Sequence, residues 1–147
     1  MKVTLTRAND AVHFEARTES GATLHIDGAP SVGGQGLGAR PMETVLTALG
    51  GCSAIDVVSI LTKQREPITG MVVTVDGERD PQATPSLFQF IHVHFAVSGP
   101  SDPEKVARAV SLSMEKYCSV ARILEHTATI TFGYDLVANP ASADQRQ

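Results

Sequence analysis

The chain has 147 residues, of which 42% are hydrophobic and 19% are charged, and its formal net charge is −4. This composition is typical of a globular protein, and the length allows one domain with a sizeable core. The twelve Lys and Arg residues are scattered along an acidic chain. Because nucleic acid binding depends on clustered basic residues, we expect no nucleic acid partner.

The N-terminus, MKVTLTRANDAV, lacks the apolar segment of a signal peptide, and the uncharged stretch at residues 44–55 is shorter than a membrane-spanning helix. We therefore expect no membrane partner and a cytoplasmic location. Thiols are kept reduced in that compartment, so Cys52 and Cys118 are expected to be functional or inert rather than a structural disulfide.

The first elements are strands followed by a helix. Alternating apolar residues predict three short antiparallel strands near residues 3–5, 12–16 and 24–26, and a glycine-rich connector follows at residues 28–40. Pro41 and Glu43 are suited to the first turn of a helix, which should extend to about residue 65 and end before Pro67. Its middle is uncharged on all sides, which predicts a central, buried helix.

The second half of the chain is predicted to contain two further strands and a second helix. Strands are predicted at residues 69–79 and 87–98, and in the second of these Ile91, Val93 and Phe95 share one face. A capping box at residues 101–104 then opens a second helix. Its apolar stripe leads directly to Cys118 and consists of Val106, Ala109, Val110, Ser113, Met114 and Tyr117.

A short helical turn at residues 120–124 and a strand at 127–137 complete the predicted order, and residues 139–147 are expected to form a flexible tail. The fold class is therefore α+β, with a mostly antiparallel sheet of about six strands and two long helices. We expect residues 1–138 to form a single domain.

Two candidate sites are disfavoured by their context. Gly34, Gly36 and Ala39 fit the G-x-G-x-x-A dinucleotide fingerprint, but that motif requires a tight turn within a βαβ unit, and the connector here is long. His92 and His94 project from one strand face and could bind a metal. No third ligand is evident nearby, so two solvated histidines on the outer face of a sheet are the favoured interpretation.

The adjacent glycines Gly50 and Gly51 each cost about 1 kcal/mol in a helix interior, so close packing or chemistry is expected there. Cys52 follows them directly. A single cysteine on an apolar helix face is usually a small buried hydrophobe. If the two long helices pack on each other, however, the thiols of Cys52 and Cys118 could meet.

The runs RPMETVLTALGGCSAIDVVSILTKQRE and MEKYCSVARIL together resemble the OsmC/Ohr superfamily, and within it the YhfA-like branch. This resemblance implies a thiol-dependent peroxidase that reduces organic hydroperoxides. Cys52 matches the peroxidatic cysteine, and Cys118 matches the resolving cysteine that forms a disulfide with it. A dithiol would then reduce that disulfide, and no metal, haem or other cofactor is required.

The resemblance also implies that an arginine holds the peroxidatic thiolate and that a glutamate orients the arginine. Glu43 matches the glutamate, while Arg17 is the candidate arginine and Arg40 is its rival. Nine residues of helix separate Glu43 from Cys52, a rise of about 13 Å that places them on opposite faces. The resemblance implies an intertwined homodimer whose sites lie at the interface, so that Glu43 of one chain would be near Cys52 of the other. The alternative function is an OsmC-fold binding or redox-sensing protein that holds an apolar ligand without efficient turnover.

Overall fold

The computed structural model describes residues 1–100 and 102–138, which form two compact units divided after Val45. The first unit contains a three-stranded antiparallel sheet in the order β1-β2-β3. Its strands are β1 (Val3–Arg7), β2 (Phe14–Thr18) and β3 (Thr23–Ile26). These match the three predicted strands. Most of the side chains in this sheet are exposed, including Val3, Leu5 and Leu24, and only Ala16 is buried.

A buried carboxylate organises the glycine-rich connector. Oδ2 of Asp27 accepts hydrogen bonds from the backbone N–H groups of Gln35 and Leu37, at 2.9 and 3.0 Å, and Oδ1 accepts one from Gly28 at 2.8 Å. These bonds favour the charged form and lower the pKa of Asp27 below its usual value. The connector is therefore a loop folded around Asp27, with a single 3-10 turn at Pro30–Val32.

Helix α1 spans Pro41–Lys63, close to the predicted range, and its first turn is capped by the Glu43 carboxylate, which accepts the Arg40 backbone N–H at 2.8 Å. Only one stripe of α1 is buried, formed by Leu49, Gly50, Ser53, Val57 and Leu61. Ile55 and Val58 on another face are 72% and 42% exposed. The prediction of a central, buried helix therefore holds for this stripe, while the opposite part of the surface of α1 is exposed in the single chain.

The second unit contains a three-stranded sheet in the order β4-β5-β6. Its strands are β4 (Gly70–Arg79), β5 (Phe88–Ser98) and β6 (Thr129–Leu136). The pair β4 and β5 is antiparallel, as predicted, and β5 buries Ile91, Val93 and Phe95. Strand β6 runs parallel to β5, because a helical crossover rather than a hairpin connects them.

The close packing expected at the glycine pair is present at one of the two residues, Gly50. A Cβ atom added to Gly50 would lie 3.0 Å from Cγ2 of Val75 and 3.8 Å from Cγ1 of Val73, both on β4. Gly50 therefore lets α1 pack closely on β4. A Cβ atom at Gly51 would meet nothing within 4 Å, and this residue is exposed.

Candidate active site

Helix α1 presents Cys52 and Asp56 on one face, because residues four apart are neighbours on a helix surface. Both side chains are half-buried. Between them, the buried Ser53 donates its hydroxyl to the carbonyl oxygens of Leu49 and Gly50 at 2.8 and 3.1 Å, so its polar atom is satisfied within the helix. The thiol and the carboxylate are the two chemically reactive groups on this face.

The second helix, α2 (Pro103–Leu112), begins at Asp102, whose side chain accepts the backbone N–H groups of Glu104 and Lys105. Ser101 of the predicted capping box lies outside the described residues. The predicted apolar stripe is buried at Val106, Ala109, Val110, Ser113 and Met114. Tyr117, its last predicted member, is 50% exposed.

The reason for this exposure is a π-helical turn at Ser113–Tyr117, which continues directly from α2. The backbone N–H of Cys118 closes the turn by donating to the carbonyl oxygen of Ser113 at 2.8 Å. A π turn contains more residues than an α turn, so the side chains along it rotate away from the apolar stripe of α2. The turn thus moves Tyr117 outward and ends at Cys118.

Cys118 is fully buried and forms the N-cap of the short helix α3 (Ser119–Leu124). Its sulfur accepts the backbone N–H of Ala121 at 3.4 Å. Burial raises the pKa of the Cys118 thiol from 9.0 to about 11; the bond from Ala121 opposes this rise, and the neighbouring Cys52 thiol adds to it. Cys118 is therefore protonated at neutral pH.

The structure brings the two thiols together. The sulfur atoms of Cys52 and Cys118 and a carboxylate oxygen of Asp56 all lie within 4.8 Å of one another, and both cysteines are free. The Ser113 hydroxyl, on the π turn, is 3.3 Å from Oδ2 of Asp56 and 3.2 Å from the carbonyl oxygen of Ser53. Asp56 was not among the predicted site residues, although its four-residue spacing from Cys52 is visible in the sequence.

A cavity of about 680 Å³ opens beside this cluster and is lined by Asp56. Its other lining residues include apolar, neutral polar and cationic side chains, namely Ile60, Leu112, Tyr117, Ser59, Gln64, Lys63 and Arg108. Asp56 thus connects the thiol pair with a space that a small molecule could enter.

The other predicted site residues lie in the first unit. Arg17 is on β2, 67% exposed, and its guanidinium forms an ion pair with Glu15 at 3.1 Å. Glu43 caps α1 as described above.

The two histidines of the disfavoured metal site both have polar partners. His92 is 2.8 Å from the Thr131 hydroxyl, and His94 is 3.3 Å from a carboxylate oxygen of Asp135. Among the described residues, neither histidine belongs to a group of three side chains with metal-ligand spacing.

Comparison with known proteins identifies close relatives. Residues 34–133 match the family of OsmC-like proteins. The chain is 45% identical over 135 residues to "Protein YhfA" of Escherichia coli K12, a match that covers 88% of this chain and 93% of the relative.

Solved structures share the fold. A hypothetical protein from Aquifex aeolicus VF5 is 26% identical, with a TM-score of 0.80 over 92% of this chain and 95% of that one. An organic hydroperoxide resistance protein from Legionella pneumophila aligns with a TM-score of 0.69 over 92% and 98% of the two chains. At 11% identity, this second likeness supports the fold alone.

These matches also explain helix α1, which is long and apolar enough to cross a membrane by length and composition. Its buried stripe packs within a soluble OsmC-like fold, so α1 is a core helix of a soluble protein.

Proposed function

Because the chain belongs to the family of OsmC-like proteins, we propose that it is a cysteine-based peroxidase that reduces organic hydroperoxides. The observation that carries the proposal is the proximity of two free thiols, Cys52 and Cys118, on separate helices. A disulfide has an S–S distance of about 2.05 Å, so the sulfur atoms would need to approach by less than about 3 Å.

The environments of the two thiols support different roles. Cys52 is half-buried, so a peroxide could reach its sulfur. Cys118 is fully buried, and its pKa of about 11 keeps it protonated at neutral pH. Because the thiolate is the nucleophile, Cys52 is the better candidate for peroxide attack and Cys118 for resolution.

The proposed cycle has two chemical steps before reduction. The Cys52 thiolate attacks the terminal peroxide oxygen, the O–O bond breaks, and the products are a sulfenic acid at Cys52 and an alkoxide that takes a proton to become the alcohol. The Cys118 thiol then attacks the Cys52 sulfur, loses its proton, and forms a disulfide with release of water. A dithiol reductant restores both thiols by exchange, and the cycle uses no cofactor.

The exposed apolar surface supports a homodimer as the active form. Ile55 and Val58 lie exposed on one face of α1, and Val3, Leu5 and Leu24 lie exposed on the first sheet. Covering such residues with a second copy would bury them favourably. In this arrangement Glu43 and Arg17 of one chain would complete the site around the partner's Cys52, with Arg40 as the alternative cation. We further propose that residues 1–138 act as one domain and that the protein works in the cytoplasm.

Steady-state consumption of cumene hydroperoxide, with an added dithiol as reductant, tests this function. We expect Cys52→Ser to abolish turnover, and Cys118→Ser to allow one oxidation of Cys52 but little turnover with a dithiol. Arg17→Ala and Arg40→Ala identify the supporting cation, because only the residue that holds the thiolate should lower the rate substantially. Unchanged turnover in a folded Cys52→Ser protein would exclude the proposed mechanism.

A second function is favoured by the ion pair that Arg17 forms with Glu15 and by the cavity beside Asp56. The Arg17 guanidinium is paired with Glu15, and a cavity of about 680 Å³ lies beside Asp56. An Arg17 side chain held by Glu15 would leave the Cys52 thiolate without its cation, and the cavity could hold a ligand, as expected of a binding or redox-sensing protein. Such a protein would oxidise once and stop, whereas a peroxidase would continue to consume peroxide while the dithiol lasts.

A further inference from the structure

The thiol pair is part of a larger cluster. Cys52, Asp56 and Cys118 each offer one ligand atom, and these three atoms lie within 4.8 Å of one another. A disulfide-forming pair has no need of a carboxylate at this distance. A carboxylate beside two thiols would also disfavour their ionisation, because like charges repel.

We propose that the reduced form of the protein binds a zinc ion through Cys52, Asp56 and Cys118. This goes beyond the proposed peroxidase, since the metal would hold both thiols in the reduced state and block attack on peroxide. Zinc is the metal that suits the donor set, because two thiolates and one carboxylate oxygen are common zinc ligands. The cation would also compensate the negative charge that the three groups share.

The geometry is close to that of a tetrahedral site. With Zn–S distances of about 2.3 Å, two thiolate ligands lie about 3.8 Å apart, so the cluster would contract by at most about 1 Å. Cys52 and Asp56 project from one face of α1 at a spacing of four residues, a separation that also places paired zinc ligands in helical metal sites. Cys118 approaches from the start of α3.

The surroundings supply the other parts of a metal site. The Ser113 hydroxyl lies 3.3 Å from Oδ2 of Asp56 and can donate to it, so it can orient the carboxylate as outer-shell partners of metal ligands do. The cavity lined by Asp56 offers an entry path and room for a water molecule as the fourth ligand. No described ion pair neutralises Asp56, although Lys63 and Arg108 line the same cavity.

The test is zinc binding to the fully reduced, metal-stripped protein, measured by competition with a chromogenic chelator. Co²⁺ serves as a spectroscopic probe of tetrahedral thiolate ligation. We expect one zinc ion per chain. Cys118→Ser and Cys52→Ser should each weaken binding by at least about 100-fold, and Asp56→Asn by about tenfold or more. Oxidation of the two thiols to a disulfide should abolish binding.

Two controls make the result specific. Asp76→Asn changes an exposed carboxylate on β4. The double variant His92→Gln/His94→Gln removes a pair of potential ligands on β5. Both should bind zinc as the unchanged protein does, and circular dichroism should confirm that every variant is folded.

The proposal is overturned if zinc binds no more tightly than about 10 µM, a weak affinity for a thiolate site. It is equally overturned if binding survives Cys118→Ser and Asp56→Asn but is lost in the histidine variant. Because the zinc assay contains no peroxide, absence of zinc binding would not argue against the proposed peroxidase. Likewise, absence of peroxidase activity would not argue against the zinc site.

Discussion

The sulfur atoms of Cys52 and Cys118 lie within 4.8 Å of each other, yet only Cys118 is fully buried. The two thiols therefore differ in access to solvent while being close enough to react with each other after a small movement. This difference between two neighbouring cysteines has consequences that can be measured separately from catalysis.

Alkylation should distinguish the two thiols. At pH 8 a thiol with a pKa of about 11 is ionised to only about one part in a thousand, and Cys118 is also shielded from reagent. We expect iodoacetamide to modify Cys52 at least about 100-fold faster than Cys118 in the reduced, folded protein. Peptide mapping by mass spectrometry measures both rates. Denaturant is the control, since it should equalise the rates, and faster labelling of Cys118 in the folded protein would contradict the structure.

The raised pKa of Cys118 also predicts a dependence of stability on pH. The unfolded chain ionises this thiol near its ordinary pKa of 9.0, whereas the folded chain resists ionisation until about pH 11. The contribution of Cys118 to the free energy of unfolding is thus complete below pH 9 and is lost as the pH rises towards 11.

Denaturant unfolding of the unchanged protein and of Cys118→Ala measures this effect by difference, which removes the titration of other groups. We expect the stability advantage of the unchanged protein to shrink by about 2 kcal/mol between pH 9 and pH 11. A difference that stays constant over this interval would mean that the folded environment does not suppress ionisation of Cys118.

Replacement of Asp27 by asparagine should loosen the connector. In Asp27→Asn one acceptor oxygen becomes an NH₂ group, which cannot accept a backbone N–H, so the bonds from Gln35 and Leu37 or the bond from Gly28 must break. We expect hydrogen exchange at the affected amides to accelerate by at least about tenfold. In the unchanged protein, acid should have the same effect only below about pH 3.8, because the pKa of Asp27 is lowered. Unaltered exchange in the variant would contradict the role of Asp27.

The proposed homodimer predicts unequal effects of two similar substitutions. Ile55 on α1 and Ile123 on α3 are both exposed, at 72% and 69%, and both lie on helices. Ile55→Glu should weaken dimerisation by at least about tenfold, because a charge would be buried in the interface without a partner. Ile123→Glu is the matched control and should leave the assembly unchanged. Sedimentation equilibrium measures both, and a dimer that tolerates Ile55→Glu would exclude this face of α1 as the contact.

Much of the fold could be predicted because its signals are local. Pro41 and Glu43 mark the start of α1 by their suitability for a first helical turn, and alternation along β5 identified its buried face. The parallel pairing of β6 with β5 could not be predicted, since strand pairing depends on where a distant segment returns. The π turn carried no sequence signal, so Tyr117 was assigned to a stripe that it leaves.

Part of the candidate site could also be predicted from the sequence. The resemblance identified Cys52 and Cys118, and the structure brings them together. The four-residue spacing of Asp56 from Cys52 is visible in the sequence, but Asp56 was missed because the spacing becomes meaningful only once Cys118 is known to lie beside both residues. Asp27 was missed because its partners, the amides of Gln35 and Leu37, are defined only by the course of the loop.

The most direct test of the thiol pair is intact-mass analysis with free-thiol counting on the reduced, metal-free protein, before and after one equivalent of cumene hydroperoxide. We expect rapid loss of both thiols together with a mass decrease of about 2 Da, the signature of a Cys52–Cys118 disulfide. The reaction should be slower with hydrogen peroxide. Slow, stepwise addition of oxygen without an intramolecular disulfide would contradict the proposed cycle.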